Sequence, residues 1–230
     1  MKILVDYDNV GDSLRRRSLV DLADKVLSRV PMAHMQGRSA MSFRLYAGWD
    51  KGGRLTQEAQ RLSSELRSSF PKIWNLPHSI NVTMELAQST EAFPQKVLSH
   101  TFRNEPIRTI NFQRPTATTC RNTACPIEPL FDFFTYKRCP EARCSATPAN
   151  LGSQDMQKMV DTMLVADLLY LAHAGAETIC LVCHDDDMWP GILGAIAIGA
   201  TIIHIQPHFN GYSISKYLPQ NVIAYKGVAL

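Results

Sequence analysis

The sequence predicts an α/β fold, a three-layer arrangement with helices on both faces of a mostly parallel sheet, interrupted by a cysteine-containing insertion. Three observations predict it. Lys2-Ile3-Leu4-Val5-Asp6 at the start, and Thr178-Ile179-Cys180-Leu181-Val182-Cys183 before His184-Asp185-Asp186-Asp187, are short apolar runs that end in carboxylates. Continuous apolar runs of this kind read as strands buried on both faces, as in parallel sheets. Residues 178–205 read as strand, helix, strand, and strands alternating with helices build parallel sheets. Between residues 76 and 150 this regularity fails, in a proline-rich stretch that holds four of the six cysteines.

In chain order, residues 2–7 form the first strand. Asp12 or Ser13 caps a helix running to about Arg29, with Leu14, Leu19, Leu22, Val26 and Leu27 at its apolar positions and Pro31 beyond its end. Residues 42–47 alternate into a second strand. Gly52-Gly53 marks a turn before a polar helix from about Thr56 to Ser68, with Leu62 and Leu66 four residues apart. Residues 82–86 and 108–112 are candidate strands within the irregular stretch. A structureless loop of that length is unusual in a compact domain. Residues 76–150 therefore read as an inserted subdomain, and 1–75 with 151–230 as the main domain. A helix from Asp155 to about Ala174 is apolar around most of its circumference, as buried helices are, and Gly175 ends it. Strand 178–183, a helix from about Trp189 to Ile198, strand 201–205 and a last edge strand at 222–225 complete the pattern.

Composition sets bounds on function. The chain has 230 residues, 45% hydrophobic and 20% charged, ordinary values for a soluble globular protein. No apolar stretch approaches the roughly 20 residues of a membrane span; the longest, 192–205, is interrupted by Gly194, Gly199 and His204. The N-terminus reads as a strand with an early Asp rather than a signal peptide, so a cytoplasmic protein with no membrane partner is expected. The net charge of +3 is uneven. Residues 12–72 hold 12 Lys/Arg against 6 Asp/Glu, and residues 145–230 hold 3 against 7. The first balance suits phosphate contacts, while the second belongs to the acid clusters. Solvated helix faces account for such a balance equally well.

The acids carry the chemistry. Asp6 and Asp8 flank Tyr7 at the end of the first strand, and Asp185 and Asp187 have the same spacing after strand 178–183. Ligands of open α/β sheets bind outside the carboxyl ends of the strands. Two acid clusters placed there repel each other unless a cation lies between them. Asp161 lies one turn inside the preceding helix, with Lys158 three residues earlier on the same face. Asp167 is six residues further on, roughly 120° around the helix, and ranks below Asp161 as a ligand. Asp8 and Asp186 are secondary members. Mg²⁺ and Mn²⁺ take oxygen ligands and keep waters, and they promote phosphodiester hydrolysis. Any one of these aspartates can instead cap a helix, Asp187 above all, in front of the helix at Trp189.

In this setting the chain resembles the NYN branch of the PIN-like nucleases. Val5-Asp6-Tyr7-Asp8-Asn9 resembles that family's Asp-x-x-Asn motif after its first strand. Lys158-Met159-Val160-Asp161 with Asp167 resembles its Lys-x-Val-Asp and second helical Asp. Val182-Cys183-His184-Asp185-Asp186-Asp187-Met188-Trp189-Pro190 resembles its Ser-x-Asp-Ser-Asp-Phe segment after the fourth strand. The motifs fall in order over about 150 of the 230 residues and skip the middle. The resemblance implies a Rossmann-like, PIN-like domain that cleaves RNA, usually single-stranded. It implies Asp6, Asn9, Asp161, Asp185 and Asp187 as catalytic residues, with Asp6, Asp161, Asp185 and Asp187 holding Mg²⁺ or Mn²⁺. Cys183 departs from the family's usual Ser, and His184-Asp185-Asp186 replaces a small-residue turn. Asp6-Tyr7-Asp8-Asn9-Val10 also resembles the nucleophile motif of haloacid-dehalogenase-like phosphatases, with Asp6 attacking phosphorus. That family expects Ser or Thr after its second core strand, where Leu45-Tyr46-Ala47-Gly48-Trp49 has neither. A catalytically inactive nucleic-acid-binding or partner-binding module is the third reading.

Cys120-x4-Cys125 and Cys139-x4-Cys144 are two equal pairs separated by 13 residues. Four thiolates so spaced suit one tetrahedral Zn²⁺, and an insertion poor in core needs such a staple. Disulfides are not expected in a cytoplasmic protein. Arg121, Lys137, Arg138 and Arg143 surround these thiols, and Phe131, Phe133, Phe134 and Tyr136 lie between the pairs. Basic residues with aromatics suit single-stranded RNA or DNA, although most of the aromatics read as the core of the stapled subdomain. Arg15 and Arg16, just after the Asp8-Asn9 loop, are candidate phosphate contacts. Cys180 and Cys183 point to opposite faces of their strand and read as small buried hydrophobes. His204 and His208 flank Pro207 near a strand end and read as packing or surface residues, with contact to substrate as the alternative. A homo-oligomer or a protein partner is also open.

Overall fold

Lys2 to Asp6 is apolar except at its ends, and in the computed structural model it is the buried central strand, β1 (Lys2–Asp6), of a seven-stranded sheet. The structure describes residues 1–76, 78–107, 113–114, 116, 127–207, 216–218 and 222–230. The expectations for strand 108–112 and for Cys120, Arg121, Cys125 and His208 lie outside the described residues. The chain divides into two compact units, residues 1–102 with 157–230, and residues 103–156.

In the first unit β1 is followed by α1 (Asp12–Arg15), α2 (Leu19–Leu27), α3 (Met32–Met35) and β2 (Ala40–Tyr46). The single helix expected over 12–29 is thus two. Ser18 breaks it by forming a capping box with Asp21, because its hydroxyl satisfies a free N–H better at a helix start than inside one. A short hairpin, β3 (Asp50–Lys51) and β4 (Arg54–Leu55), turns through Gly52 and Gly53 at φ 64° and 79°, a region that favours glycine. Then come α4 (Gln57–Ser69), β5 (Lys72–Asn75) and β6 (Ser79–Leu86). Next along the chain are β7 (Phe102–Pro106), α5 (Glu128–Tyr136), α6 (Pro148–Leu151) and β8 (Ser153–Gln157). After them the first unit resumes with α7 (Val160–His173), β9 (Thr178–Val182), α8 (Trp189–Ala197), β10 (Thr201–Gln206) and β11 (Tyr225–Ala229).

The sheet order is β11-β10-β9-β1-β2-β6-β5, with every pair parallel except β5 against β6. Alternation along the strands builds two cores. Ile3, Val5, Phe43 and Leu45 pack with Leu22, Val26 and Leu62 of α2 and α4. Leu4, Ile179 and Leu181 pack on the other face with Leu164, Leu168 and Ile192 of α7 and α8. Cys180 and Cys183 fall in opposite cores, both buried, as the alternation requires. Ser79 to Leu86 lies in the stretch that reads irregular in sequence, yet its buried Ile80, Val82 and Met84 place it inside the sheet. The edge strand at the C-terminus is 225–229 instead of 222–225. Among the described residues no helix is long and apolar enough to cross a membrane.

In the second unit β7 and β8 pair, with Asn104 Nδ2 donating to Asp155 Oδ1 at 3.0 Å. The helix expected from Asp155 therefore begins only at Val160, because residues 153–157 are polar strand sequence paired to β7. No residue of α5 is buried: Phe131, Phe133 and Phe134 are half-covered and Tyr136 is exposed. Phe133 and Phe134 meet edge to face at 5.5 Å, and the Arg114 guanidinium lies 4.9 Å from the Phe131 ring centre.

Candidate metal centre

Order reverses at the centre of the sheet. From β1 the chain moves outward to β2 and β6, whereas β9, β10 and β11 build outward from the other side of β1. The crevice beyond the carboxyl ends of β1 and β9 is where such sheets bind ligands. The parallel register pairs Val5 with Val182, so Asp6 and Cys183 leave the sheet side by side.

Three donor atoms, a carboxylate oxygen each from Asp6 and Asp185 and the Cys183 sulfur, lie within 4.8 Å of one another. Asn9 holds them together. Its Nδ2 donates to Asp185 Oδ2 at 2.7 Å and to Asp6 Oδ2, while its backbone N–H donates to Asp6 Oδ1 at 3.3 Å. The Cys183 thiol donates to Asp6 Oδ2 at 3.7 Å and accepts the Asp185 backbone N–H at 3.3 Å. Beside them a cleft of about 290 Å³ is lined by Asp6, Asp8, Asn9, Asp185 and residues 157–161. Asp161 stands in the first turn of α7. It is reached through Met159, whose φ of 67° is left-handed. A non-glycine residue in that conformation costs about 1–3 kcal/mol and is tolerated where surrounding structure enforces it. Lys158 is not helical as expected: its N–H donates to the Thr101 carbonyl at 2.8 Å, and its residue lines the cleft.

Asp6 is 2% exposed. Burial, together with the Asp161 and Asp185 carboxylates, lifts its carboxyl to about 6 against the opposing hydrogen bonds from Asn9. Asp161 is also held above its ordinary value, by partial desolvation and by Asp185, Asp187 and Asp8. Burial pushes the Cys183 thiol up, and the nearby Asp6 carboxylate adds to this, so the sulfur carries its proton and the carboxylates are the anionic donors. The residues fit a hard divalent cation: several carboxylates converge on one cleft, and among the described residues no Lys or Arg pairs with Asp6. Buried carboxylates are rare unless paired or bound to metal.

The remaining predicted residues divide between the cleft and other roles. Asp187 is exposed and makes no helix cap, and its charge is felt at Asp161. Asp8 lines the cleft and pairs with Arg15 at 3.4 Å, with that guanidinium also 5.2 Å over the Tyr7 ring. Arg16 is exposed. Asp186 is directed to a different segment, accepting the Tyr217 hydroxyl at 2.9 Å and pairing with Lys216 at 3.6 Å. Asp167 is fully buried away from the cleft residues, accepting from the Tyr46 hydroxyl and the Glu91 N–H, each at 2.6 Å, with Arg44 Nε at 3.4 Å. Its offset around α7 from Asp161 explains the separation.

Two residues that read as packing in the sequence belong to the site. Cys183 contributes a donor atom. His204, 1% exposed, donates from Nε2 to the Cys183 carbonyl at 2.9 Å, since a carbonyl only accepts. Its Nδ1 therefore accepts from the Tyr225 hydroxyl at 2.9 Å. Burial lowers His204 to about 4, so the ring is neutral. The sequence signals were Cys183 at the usual Ser of the resembled motif, two residues before Asp185, and His204 near the end of a strand.

In the second unit Cys139 and Cys144 carry free thiols, half-buried and exposed. Their loop is closed by Cys139 N–H to the Ala146 carbonyl at 2.9 Å and Cys144 N–H to the Glu141 carbonyl at 3.0 Å. A cleft of about 560 Å³ there is lined by both cysteines, Tyr136 and Arg138. Lys137 is exposed beside it, at the C-terminal cap of α5. Compared with protein-family models, curated proteins and solved structures, the chain matches none.

Proposed function

We propose that the first unit is a PIN-like, Rossmann-like nuclease domain that hydrolyses phosphodiester bonds of single-stranded RNA with Mg²⁺ or Mn²⁺, in the cytoplasm. The observation that carries this reading is the convergence of Asp6, Asn9, Asp161 and Asp185 on one cleft at the reversal point of the sheet. Asp6 and Asp185 would hold the cation, and Asp161 and Asp187 would complete its oxygen shell or orient water beside it. When bound, such a cation supplies charge neutralisation and Lewis-acid assistance to hydrolysis. The Asn9 amide, donating to both carboxylates, keeps them aimed at one point and offsets part of their repulsion. Lys158 at the rim suits a phosphate oxygen. Asp8 is the residue the phosphatase reading would use as general acid; it pairs with Arg15, while burial holds its carboxyl above the ordinary value. The second unit would hold one structural Zn²⁺ through Cys120, Cys125, Cys139 and Cys144, with Arg121, Lys137 and Arg138 contacting the strand.

The test uses purified protein with Mn²⁺ and labelled single-stranded RNA, single-stranded DNA and a phosphomonoester. Cleavage of RNA is expected, reduced by about 100-fold or more in Asp185→Asn, the scale lost when charge stabilisation is removed. Absence of cleavage by the wild type, or equal cleavage by the variant, refutes the nuclease. Phosphate release that disappears in Asp6→Asn would support the phosphatase.

A further inference from the structure

We infer that the cleft contains a second, overlapping cation site for a thiophilic metal such as Zn²⁺, formed by Asp6, Cys183 and Asp185, whose occupation excludes the hard cation. The inference rests on the proposed oxygen-ligated site only for what Zn²⁺ displaces.

The three donor atoms lie within 4.8 Å of one another, a spacing that a single ion can bridge. Two of the residues, Asp6 and Cys183, are 2% and 0% exposed, so the group is a built part of the interior and not a chance cluster of surface acids. A separate observation points to a missing cation. Asp6 accepts hydrogen bonds from the neutral Asn9 and Cys183, and among the described residues it pairs with no Lys or Arg. Burying a carboxylate beside two others without a positive partner is costly. The sulfur then decides which cation this corner prefers. Zn²⁺ takes thiolate, imidazole and carboxylate ligands in a tetrahedral set, whereas Mg²⁺ and Mn²⁺ favour oxygen alone. Zn²⁺ also lies above Mn²⁺ in intrinsic affinity for a given site. The Cys183 sulfur is already aimed into the group, 3.7 Å from Asp6 Oδ2, and its carbonyl is held from behind by His204. On binding, Zn²⁺ takes the place of the thiol proton, which leaves to solvent. Because it uses the same oxygens of Asp6 and Asp185, one occupant excludes the other. Free Zn²⁺ would therefore act as an inhibitor of this site.

The experiment measures metal binding directly in the whole protein. Wild type, Cys183→Ser and Asp185→Asn are titrated with Zn²⁺ against a chromophoric chelator, with Co²⁺ for thiolate-to-metal charge-transfer absorption, and with Mn²⁺ by its paramagnetic resonance signal. The other thiols are common to all three proteins, so the differences report the cleft. Cys183→Ser is expected to lose more than about tenfold in Zn²⁺ affinity at this site, since even outer-shell changes cost 10–100-fold. It should also lose the corresponding Co²⁺ absorption while retaining Mn²⁺. Zn²⁺ should displace Mn²⁺ from wild type and not from Cys183→Ser. Asp185→Asn, altered at a half-exposed residue, should lose both metals. Equal Zn²⁺ binding and equal Mn²⁺ displacement in wild type and Cys183→Ser would overturn the inference. RNA cleavage plays no part in these readings, so a protein that binds Zn²⁺ through Cys183 but cleaves nothing sinks only the nuclease reading.

Discussion

Replacing Asp6 by Asn should stabilise the metal-free protein while destroying its metal site. Asp6 is 2% exposed, and its carboxyl is raised to about 6, first by burial and then by Asp161 and Asp185. A rise of about two units from the ordinary carboxyl value corresponds to about 3 kcal/mol spent on ionising the folded state. The sign follows from proton binding. Between about pH 4 and 6 the folded protein binds more protons than the unfolded chain, so stability falls as pH rises through that window, and the full cost is present above it. Asn carries no charge and escapes this cost. Its amide, however, presents a donor where the carboxylate accepted from Asn9 and Cys183, losing about 1 kcal/mol of hydrogen bonding. The net expectation is a gain of about 1–2 kcal/mol near neutral pH in chelator, or roughly 3–6 °C in the unfolding midpoint for a chain of this size. At about pH 4 the gain should vanish, because the wild-type carboxyl is then protonated in the folded state and about half protonated in the unfolded chain, so most of the ionisation cost is gone and the lost hydrogen bonding offsets the rest. Added Mn²⁺ should reverse the order: a cation at 100 times its dissociation constant stabilises the wild type by about 2.7 kcal/mol and leaves Asp6→Asn unchanged. Thermal unfolding followed by circular dichroism, with and without chelator at both pH values, reads all of this. An Asp6→Asn protein less stable than wild type near neutral pH in chelator, or an advantage that persists at about pH 4, would refute the reasoning.

Two further outcomes follow from the rest of the structure. Tyr46→Phe removes a buried hydroxyl that donates to the Asp167 carboxylate at 2.6 Å, and urea unfolding should show a loss of about 1.5–3 kcal/mol, the scale for hydrogen bonds to charged groups; a change below about 0.5 kcal/mol would mean that Arg44 and the Glu91 N–H suffice to hold Asp167. If the second unit is stapled by Zn²⁺, elemental analysis should find about one tightly bound zinc per chain that disappears in Cys139→Ser, and unchanged zinc in that variant would remove the staple.

The α/β class was legible because its signals are local. A strand buried on both faces must be apolar along its interior, and β1 and β9 are so between their end residues. A helix must repeat its apolar positions with its own period, and the buried Leu19, Leu22, Val26 and Leu27 of α2 do so. Local signals also mislead at boundaries. Ser18 reads as an ordinary helical residue until its side chain is seen capping α2, and Asp155 to Gln157 reads as helix until β8 pairs with β7. Strand β6 was half-visible, because residues 82–86 stand out as a candidate strand but their place inside the sheet depends on pairing with β2, 41 residues earlier in register.

The candidate site shows the same division. Sequence alone determined that carboxylates end two buried strands and that another stands near the start of a helix, since this needs only residue identity and local periodicity. Only the tertiary structure decided which of them meet. The register of β1 against β9 sets Asp6 beside Cys183 and brings a thiol into an otherwise oxygen-rich group. The turn of α7 sends Asp161 to the cleft and Asp167 into a buried network with Tyr46 and Arg44. Asp186 is drawn to Tyr217 and Lys216. Each outcome depends on contacts between residues far apart in the chain, and no local pattern encodes those distances.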